Sequence, residues 1–471
     1  ELFPEKLEGI QDYSTIEHAF IENNSQATTT STSYVNVTGS FIASGNFTAG
    51  KKYLLYVTAQ VGNSAGNGVF AQLIHGTTAF AESEQGYEPG AANKAIYGFF
   101  IVWTAVSNEG IQLQFRSNSG SANIDQISMV SINLADNLTE NTDWFFNQVA
   151  TDSALSTTFL DGGAVTFTPG TAGQDWLVLS YMQADPGDTT NSEISRINRS
   201  GEASSSLPES RYEVPFSDKI NGFQLVRVFN LSAASNTFKE QSATSAGTAH
   251  TRLHSSIFIL NLNKFKNHAF AYTENDAALS ATNYATQLQT LSITPDVAGN
   301  VWVGTYWGFD RNNAARESEF IVQVDNIDQP AGQTTDNYQF SQGSDATDEH
   351  PETLSTMLNL SATTHTINLN ASSDDTTGAP TGQQGTLWAV SMELSASADT
   401  TSPAWSSNST NGTTAGTFIQ HSVNWTDNTA LSGYIFSFAN RTGVFVNDSF
   451  VIFTGTQNWS NVSKWVNTTV S

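Results

Sequence analysis

Cysteine is absent from the 471 residues, which excludes disulfides and thiolate metal sites. A secreted protein without cysteine is unusual in eukaryotes and ordinary in bacteria and archaea. Lysine and arginine are scarce, 18 against 44 aspartates and glutamates, so the formal charge is −26 and the pI about 4.4. Such a surface repels nucleic acid and anionic membranes. No run approaches the ~18–20 apolar residues of a membrane span. The chain begins at Glu1 rather than Met, as expected of a mature form freed of its targeting peptide or of a trimmed one.

What is abundant is Ser, Thr, Asn, Gly and aromatics. Polarity is carried by hydroxyls and amides, the habit of extracellular β-proteins. Apolar residues recur in short runs throughout, so disorder is not expected.

Internal repetition is the strongest signal. "KKYLLYVTAQVGN" (51–63), "QDWLVLSYMQADP" (174–186) and "GNVWVGTYWGFDR" (299–311) are apolar and aromatic runs about 125 residues apart. This alignment puts Tyr53, Trp176 and Val301 at one position of a core strand. Each repeat closes alike, in "IDQISMVSINL", "TRLHSSIFILNL" and "GTLWAVSMEL". Paired strands with polar turns precede those endings. The pattern predicts an all-β chain: three tandem jelly-roll-like β-sandwiches of eight to ten strands, then a small Ig-like sandwich. The expected division is an N-terminal arm over 1–12, sandwiches over 13–136, 137–265 and 266–398, and an Ig-like tail over 399–471. A short connector helix is conceivable around "TDWFFNQV".

In the tail, Ile419, His421, Val423 and Trp425 are expected on one face of a strand. Gln420, Ser422 and Asn424 are expected on the other. The segment "SVNWTDNTALSGYIFSFANRTGVFVNDSFVIFTGTQNWSNVSKWVNTTV" resembles the Ig-like repeats of large secreted proteins from uncultivated archaea, and the match covers about 50 residues. Those repeats continue through further strands, so the tail is expected to be open. The larger repeats resemble jelly-roll modules of prokaryotic and viral surface fibres. Together the resemblances imply an archaeal surface protein, a subunit of a filament or appendage of hamus or pilus type.

Sixteen Asn-x-Ser/Thr triplets occur. Asn408, Asn411, Asn424, Asn440, Asn447, Asn458, Asn461 and Asn467 lie in the tail, twice the density that composition gives. Asn23, Asn36, Asn46, Asn137, Asn198, Asn230, Asn359 and Asn370 precede it. N-glycans are expected on several tail sites.

His250 and His254 in "AHTRLH" fall on one strand face but have no third ligand nearby, while His75, His350 and His421 are isolated. Acidic loops suit calcium: Asp345, Asp348, Glu349 and Glu352; Asp374 and Asp375; Asp325 and Asp328. None has an EF-hand spacing, so solvated loops are the default and no cofactor is expected. Neither G-x-S-x-G nor H-E-x-x-H occurs. Glu193 and Glu319 look like matching strand positions, which argues for a fold role, and no enzyme is expected. Trp103, Trp144, Tyr181, Trp302 and Trp307 could make a sugar platform, but their place inside apolar runs favours cores.

The functional expectation is a glycosylated, extracellular, self-assembling filament or cell-surface subunit that polymerises head to tail. The alternative is a carbohydrate-binding adhesin or viral receptor-binding fibre. Leu2, Phe3, Leu7 and Ile10 in "ELFPEKLEGIQ" are the candidate subunit contacts: this arm would complete the open tail of a neighbour by strand addition.

Overall fold

The computed structural model describes residues 15–64, 68–87, 94–107, 109–185, 191–201, 209–213, 221–245, 250–274, 277–279, 284, 286–310, 317–329, 339–341, 349–373, 381–395, 403–427, 431–438 and 445–466. The N-terminal arm with Leu2, Phe3, Leu7 and Ile10 lies outside them. The chain divides into two compact units, Glu1–Ser395 and Ala396–Ser471. Among the described residues all regular structure is strand, apart from three single-turn 3₁₀ segments.

The large unit contains three antiparallel sandwiches. In the first, one sheet runs in the order His18–Asn23, Ala122–Asn133, Lys52–Asn63, Lys94–Thr104. Its partner sheet runs Val35–Ile42, Ile111–Ser117, Val69–His75, Thr78–Ala79. Strands close in sequence thus alternate between sheets, the crossing pattern of a jelly roll. The second sandwich repeats it with Trp144–Val149, Thr251–Asn261, Gln174–Asp185 and Asn221–Leu231 in one sheet. The other holds Leu160–Phe167, Asn236–Thr244, Ser192–Arg199 and Glu209–Glu213. The third repeats it again, with His268–Thr273, Thr381–Ser391, Gly299–Asp310 and Glu349–Leu360. "TDWFFNQV" is therefore strand, not a connector helix. Its aromatic and branched side chains suit a pleated surface, and Trp144 pairs with Leu260 as His18 pairs with Ile132.

Register makes the repeats comparable residue by residue. Tyr53 lies between Asn133 and Trp103, Trp176 between Asn261 and Phe229, and Val301 between Ser391 and Leu358. The three are equivalent, as the aligned runs require. Because side chains alternate, each of these central strands shows one face to its own core and the other to the neighbouring sandwiches. Tyr56 packs edge-on to Trp302 and Trp388 of the third sandwich, 5.5 and 6.3 Å between ring centroids. Tyr181 packs on Phe99 of the first at 5.3 Å, and Thr386 donates to the Val226 carbonyl of the second at 3.1 Å.

The sheets bearing those strands meet at one point. Five residues beyond the equivalent trio, Thr58, Tyr181 and Tyr306 pair with Gly98, Gln224 and Thr353. These last three touch: Thr353 Oγ1 lies 3.5 Å from Gln224 Oε1. A Cβ built on Gly98 would fall 2.6 Å from Thr353 Oγ1 and 2.7 Å from Gln224 Oε1. Three equivalent residues in contact define a pseudo-threefold centre inside one polypeptide, and glycine is what permits the approach.

The small unit is thinner. Ala404–Thr410, Phe418–Thr426 and Gln457–Trp465 form a three-stranded sheet, with Phe418–Thr426 in the middle. Two short ladders, Gly433–Tyr434 with Val451–Ile452 and Ser437–Phe438 with Val446–Asn447, accompany it. Among its described side chains the buried apolar ones are Ile419, Leu431 and Phe453.

Candidate functional site

In the small unit, alternation sorts the sheet into two faces. Inward are Ile419, His421, Val423, Ser460 and Lys464. His421 packs on Phe436 and Phe438, and Lys464 pairs with Asp448. Outward are Phe418, Gln420, Ser422, Asn424 and Thr426, opposite Trp465, Ser463, Asn461, Trp459 and Gln457. Every outward residue on these two strands is neutral, in a chain of charge −26. Trp459 and Trp465 are 46% and 50% exposed. The Phe418 ring packs edge-on to Trp465 at 5.2 Å. Ser422 donates to the Asn461 carbonyl oxygen at 2.7 Å, which fixes that amide. The accompanying ladders leave Phe445, Val446, Phe450 and Ile452 more than half exposed.

Asn424 departs from expectation. It is on the outward face, yet it is buried. Its amide nitrogen reaches Ser406 Oγ at 3.4 Å and its carbonyl accepts from Gln457 at 3.3 Å. Neighbouring side chains on the face cover it, so it is not open for a glycan. The other candidates divide. Asn36, Asn46, Asn137, Asn230, Asn359, Asn408, Asn411, Asn447 and Asn461 are exposed; Asn23, Asn198, Asn370 and Asn458 are half-buried. Asn370 donates to Gln323 at 2.7 Å. Asn440 and Asn467 lie outside the described residues.

A second polar site is interior to the second sandwich. Glu240 occupies the column that holds Phe115 in the first sandwich and Leu369 in the third, four residues beyond Asn236, Ile111 and His365. It is fully buried. Ser255 donates to it at 2.7 Å, Ser195 at 3.2 Å, and Arg252 Nη1 stands at 3.7 Å. Burial outweighs these partners and pushes its carboxyl up to about 7. Gly162 leaves the room: a Cβ there would lie 2.2 Å from Glu240 Oε2. Nearby, His250 Nδ1 is 3.2 Å from Glu193 Oε1, both fully buried. A packed interior offers these groups no substrate, and among the described residues no cluster of three His, Asp or Glu could hold a metal.

His250 and His254 do not share a face. The ladder slips between Gln183/His254 and Ala184/Arg252, a bulge at Leu253. His250 therefore points to Glu193 inside the sandwich, while His254 lies beside Tyr181 at 6.2 Å, towards the first sandwich. Burial there lowers its imidazole to about 4. Glu193 and Glu319 are one residue out of register: Glu193 pairs with Thr244, and the equivalent Ser373 pairs with Ser318. Asp325 lies in the turn between the strands Glu317–Val324 and Ile327–Gln329. With Asn326 it forms a two-residue hairpin turn, φ +52° and +66°. The Thr366 N–H and His365 occupy its carboxylate and hold it below the usual carboxylate range. His75 pairs with Glu109 at 2.5 Å. The side chains of Asp328, Asp345, Asp348, Glu349, Glu352, Asp374, Asp375 and His350 lie outside the described residues. Trp103, Trp144, Tyr181, Trp302 and Trp307 are all buried and form no sugar platform.

Two open grooves of about 380 and 580 Å³ lie at matching edges of the first and second sandwiches. Phe20 lines one and its register equivalent Phe146 the other. Recurrence at one edge makes them a product of the fold. Among the described residues no helix is long and apolar enough to cross a membrane.

No protein-family model matches the chain, and no curated protein matches it. Among solved structures it is similar, at 8% identity and a TM-score of 0.17, to a proposed secreted protein of Parabacteroides distasonis, over 53% of this chain and 88% of that one. A chain of the lipid-containing bacteriophage PM2 is similar at 11% identity and 0.17, over 81% of this chain and all of that one. The N-terminal CBM22-1-CBM22-2 tandem domain of Xyn10C from Paenibacillus barcinonensis is similar at 8% identity and 0.16, over 51% and 92%. Likenesses of this size carry no argument about what this chain does.

Proposed function

We propose that the chain is a structural, non-enzymatic subunit of an extracellular assembly of filament or appendage type, and that it polymerises with copies of itself. The observation that supports this is the small unit. Among its described residues it buries few apolar side chains and exposes Phe445, Val446, Phe450 and Ile452 beside short ladders and sheet edges without a described partner strand. Exposed edges with apolar flanks recruit further strands, and strand addition is the matching mode of recognition. The large unit fits a load-bearing role, because its buried ionisable groups are enclosed by packing. The occupant of the small unit is the arm of a second copy, through Leu2, Phe3, Leu7 and Ile10. A heterologous contact of that kind propagates.

Sedimentation and negative-stain microscopy of concentrated full-length protein test this reading. Polymers that vanish when residues 1–11 are deleted are the expected result. A monomer at every concentration, or polymers that survive the deletion, would refute it.

A further inference from the structure

We infer that the outward face of the Phe418–Thr426/Gln457–Trp465 sheet is a binding platform for a linear neutral saccharide. The inference is independent of self-assembly. Trp459 and Trp465 lie six residues apart on one strand and on one face, about 20 Å in an extended chain. Both indoles are half exposed. A pyranose ring presents a face of C–H bonds that stacks on such a surface, and two indoles at this separation meet two sugars of one oligosaccharide. Between them the side chains are Asn461 and Ser463, flanked across the ladder by Ser422 and Gln420. Amides and hydroxyls both donate and accept, as saccharide hydroxyls require.

Charge selects the class of occupant. These outward positions carry no ionised group, although the chain as a whole is strongly acidic. An anionic polysaccharide would be repelled at long range, a cationic one would find no ion-pair partner on the face, and a neutral one meets neither obstacle. The face is also pre-organised. Phe418 packs edge-on to Trp465, and the Ser422 hydroxyl fixes the Asn461 amide. Rigid aromatic groups lose little entropy on binding. Asn461 is itself a glycan acceptor triplet, so the test uses full-length protein from a host that does not N-glycosylate.

The probes are hydroxyethylcellulose, glycol chitin and glucomannan, each cast into a native gel. Retardation by at least one is expected, unchanged by added salt. Trp459→Ala and Trp465→Ala should each weaken it about tenfold, equivalent to ~1.4 kcal/mol, while Trp459→Tyr and Trp465→Tyr should largely preserve it. Matching thermal unfolding of all variants shows that the fold is intact. Failure of all three gels would overturn the inference, as would retardation indifferent to both alanine substitutions. Sedimentation showing a dimer that the alanine variants dissolve would assign the face to a second copy and overturn it too.

Discussion

Gly304 and Trp388 are directly opposed across two paired strands of the third sandwich, and a Cβ on Gly304 would lie 2.0 Å from Trp388 Cζ2. The equivalent pair is Tyr56 with Val130 in the first sandwich and Leu179 with Phe258 in the second. Size shifts across the ladder: glycine faces the largest side chain, tryptophan, in the third sandwich, whereas tyrosine faces valine in the first and leucine faces phenylalanine in the second. Gly304→Leu alone should destabilise the protein by ~1–3 kcal/mol, the usual cost of overpacking. Adding Trp388→Phe, which recreates the pair of the second sandwich, should recover part of that loss. Urea unfolding of the single and double variants measures the coupling.

Gly98 is the corresponding weak point between sandwiches. Gly98→Val forces Thr353 and Gln224 apart. We expect faster proteolysis between the sandwiches and a loss of ~1–3 kcal/mol. Gly50, which has nothing within 4 Å of its built Cβ but a φ of +82°, serves as a control for backbone strain without crowding.

The interior of the second sandwich predicts a pH dependence. Glu240 rises from 4.5 to about 7 in the folded protein, so the fold favours its protonated form. Its contribution is greatest below pH 4.5 and is lost as pH climbs to 7, about 3 kcal/mol in all. His254 falls from 6.5 to about 4. Its contribution is present above pH 6.5 and is lost as pH drops to 4. Between pH 4.5 and 6.5 the two oppose each other and flatten the curve. Glu240→Gln should therefore leave stability rising with pH over that range, read from melting temperatures at half-unit steps.

Much of this was legible in the sequence, and what was not has identifiable causes. The three apolar runs located the central strands because alternation and repetition are local signals. Glu240 escaped notice because "FKEQS" reads as an ordinary half-exposed strand. Its column becomes visible only when the repeats are aligned through their ladders, where Phe115 and Leu369 stand beside it. The bulge at Leu253 separated two histidines that simple spacing placed together. Asn424 sits on the expected face, but its cover comes from Ser406 and Gln457, on strands remote in sequence.

Glycan occupancy should follow that burial. In protein from its native cell, peptide mass spectrometry is expected to find exposed Asn408 modified and buried Asn424 bare, although their triplets are equally valid.

The small unit should melt first. With Ile419, Leu431 and Phe453 as its buried apolar side chains among those described, it has little hydrophobic stabilisation of its own. Calorimetry should show a separate low-temperature transition, absent from a chain ending at Ser395.

Separate subunits joined at the contact of Gly98, Gln224 and Thr353 would fall apart on dilution. Covalent linkage converts that equilibrium into an intramolecular one, with an effective concentration set by the connecting segments. The trio therefore holds together at any protein concentration, and its stoichiometry cannot vary. Linkage also frees each member to drift away from its siblings. A carboxylate can enter one interior, and a glycine one seam, without being imposed three times over.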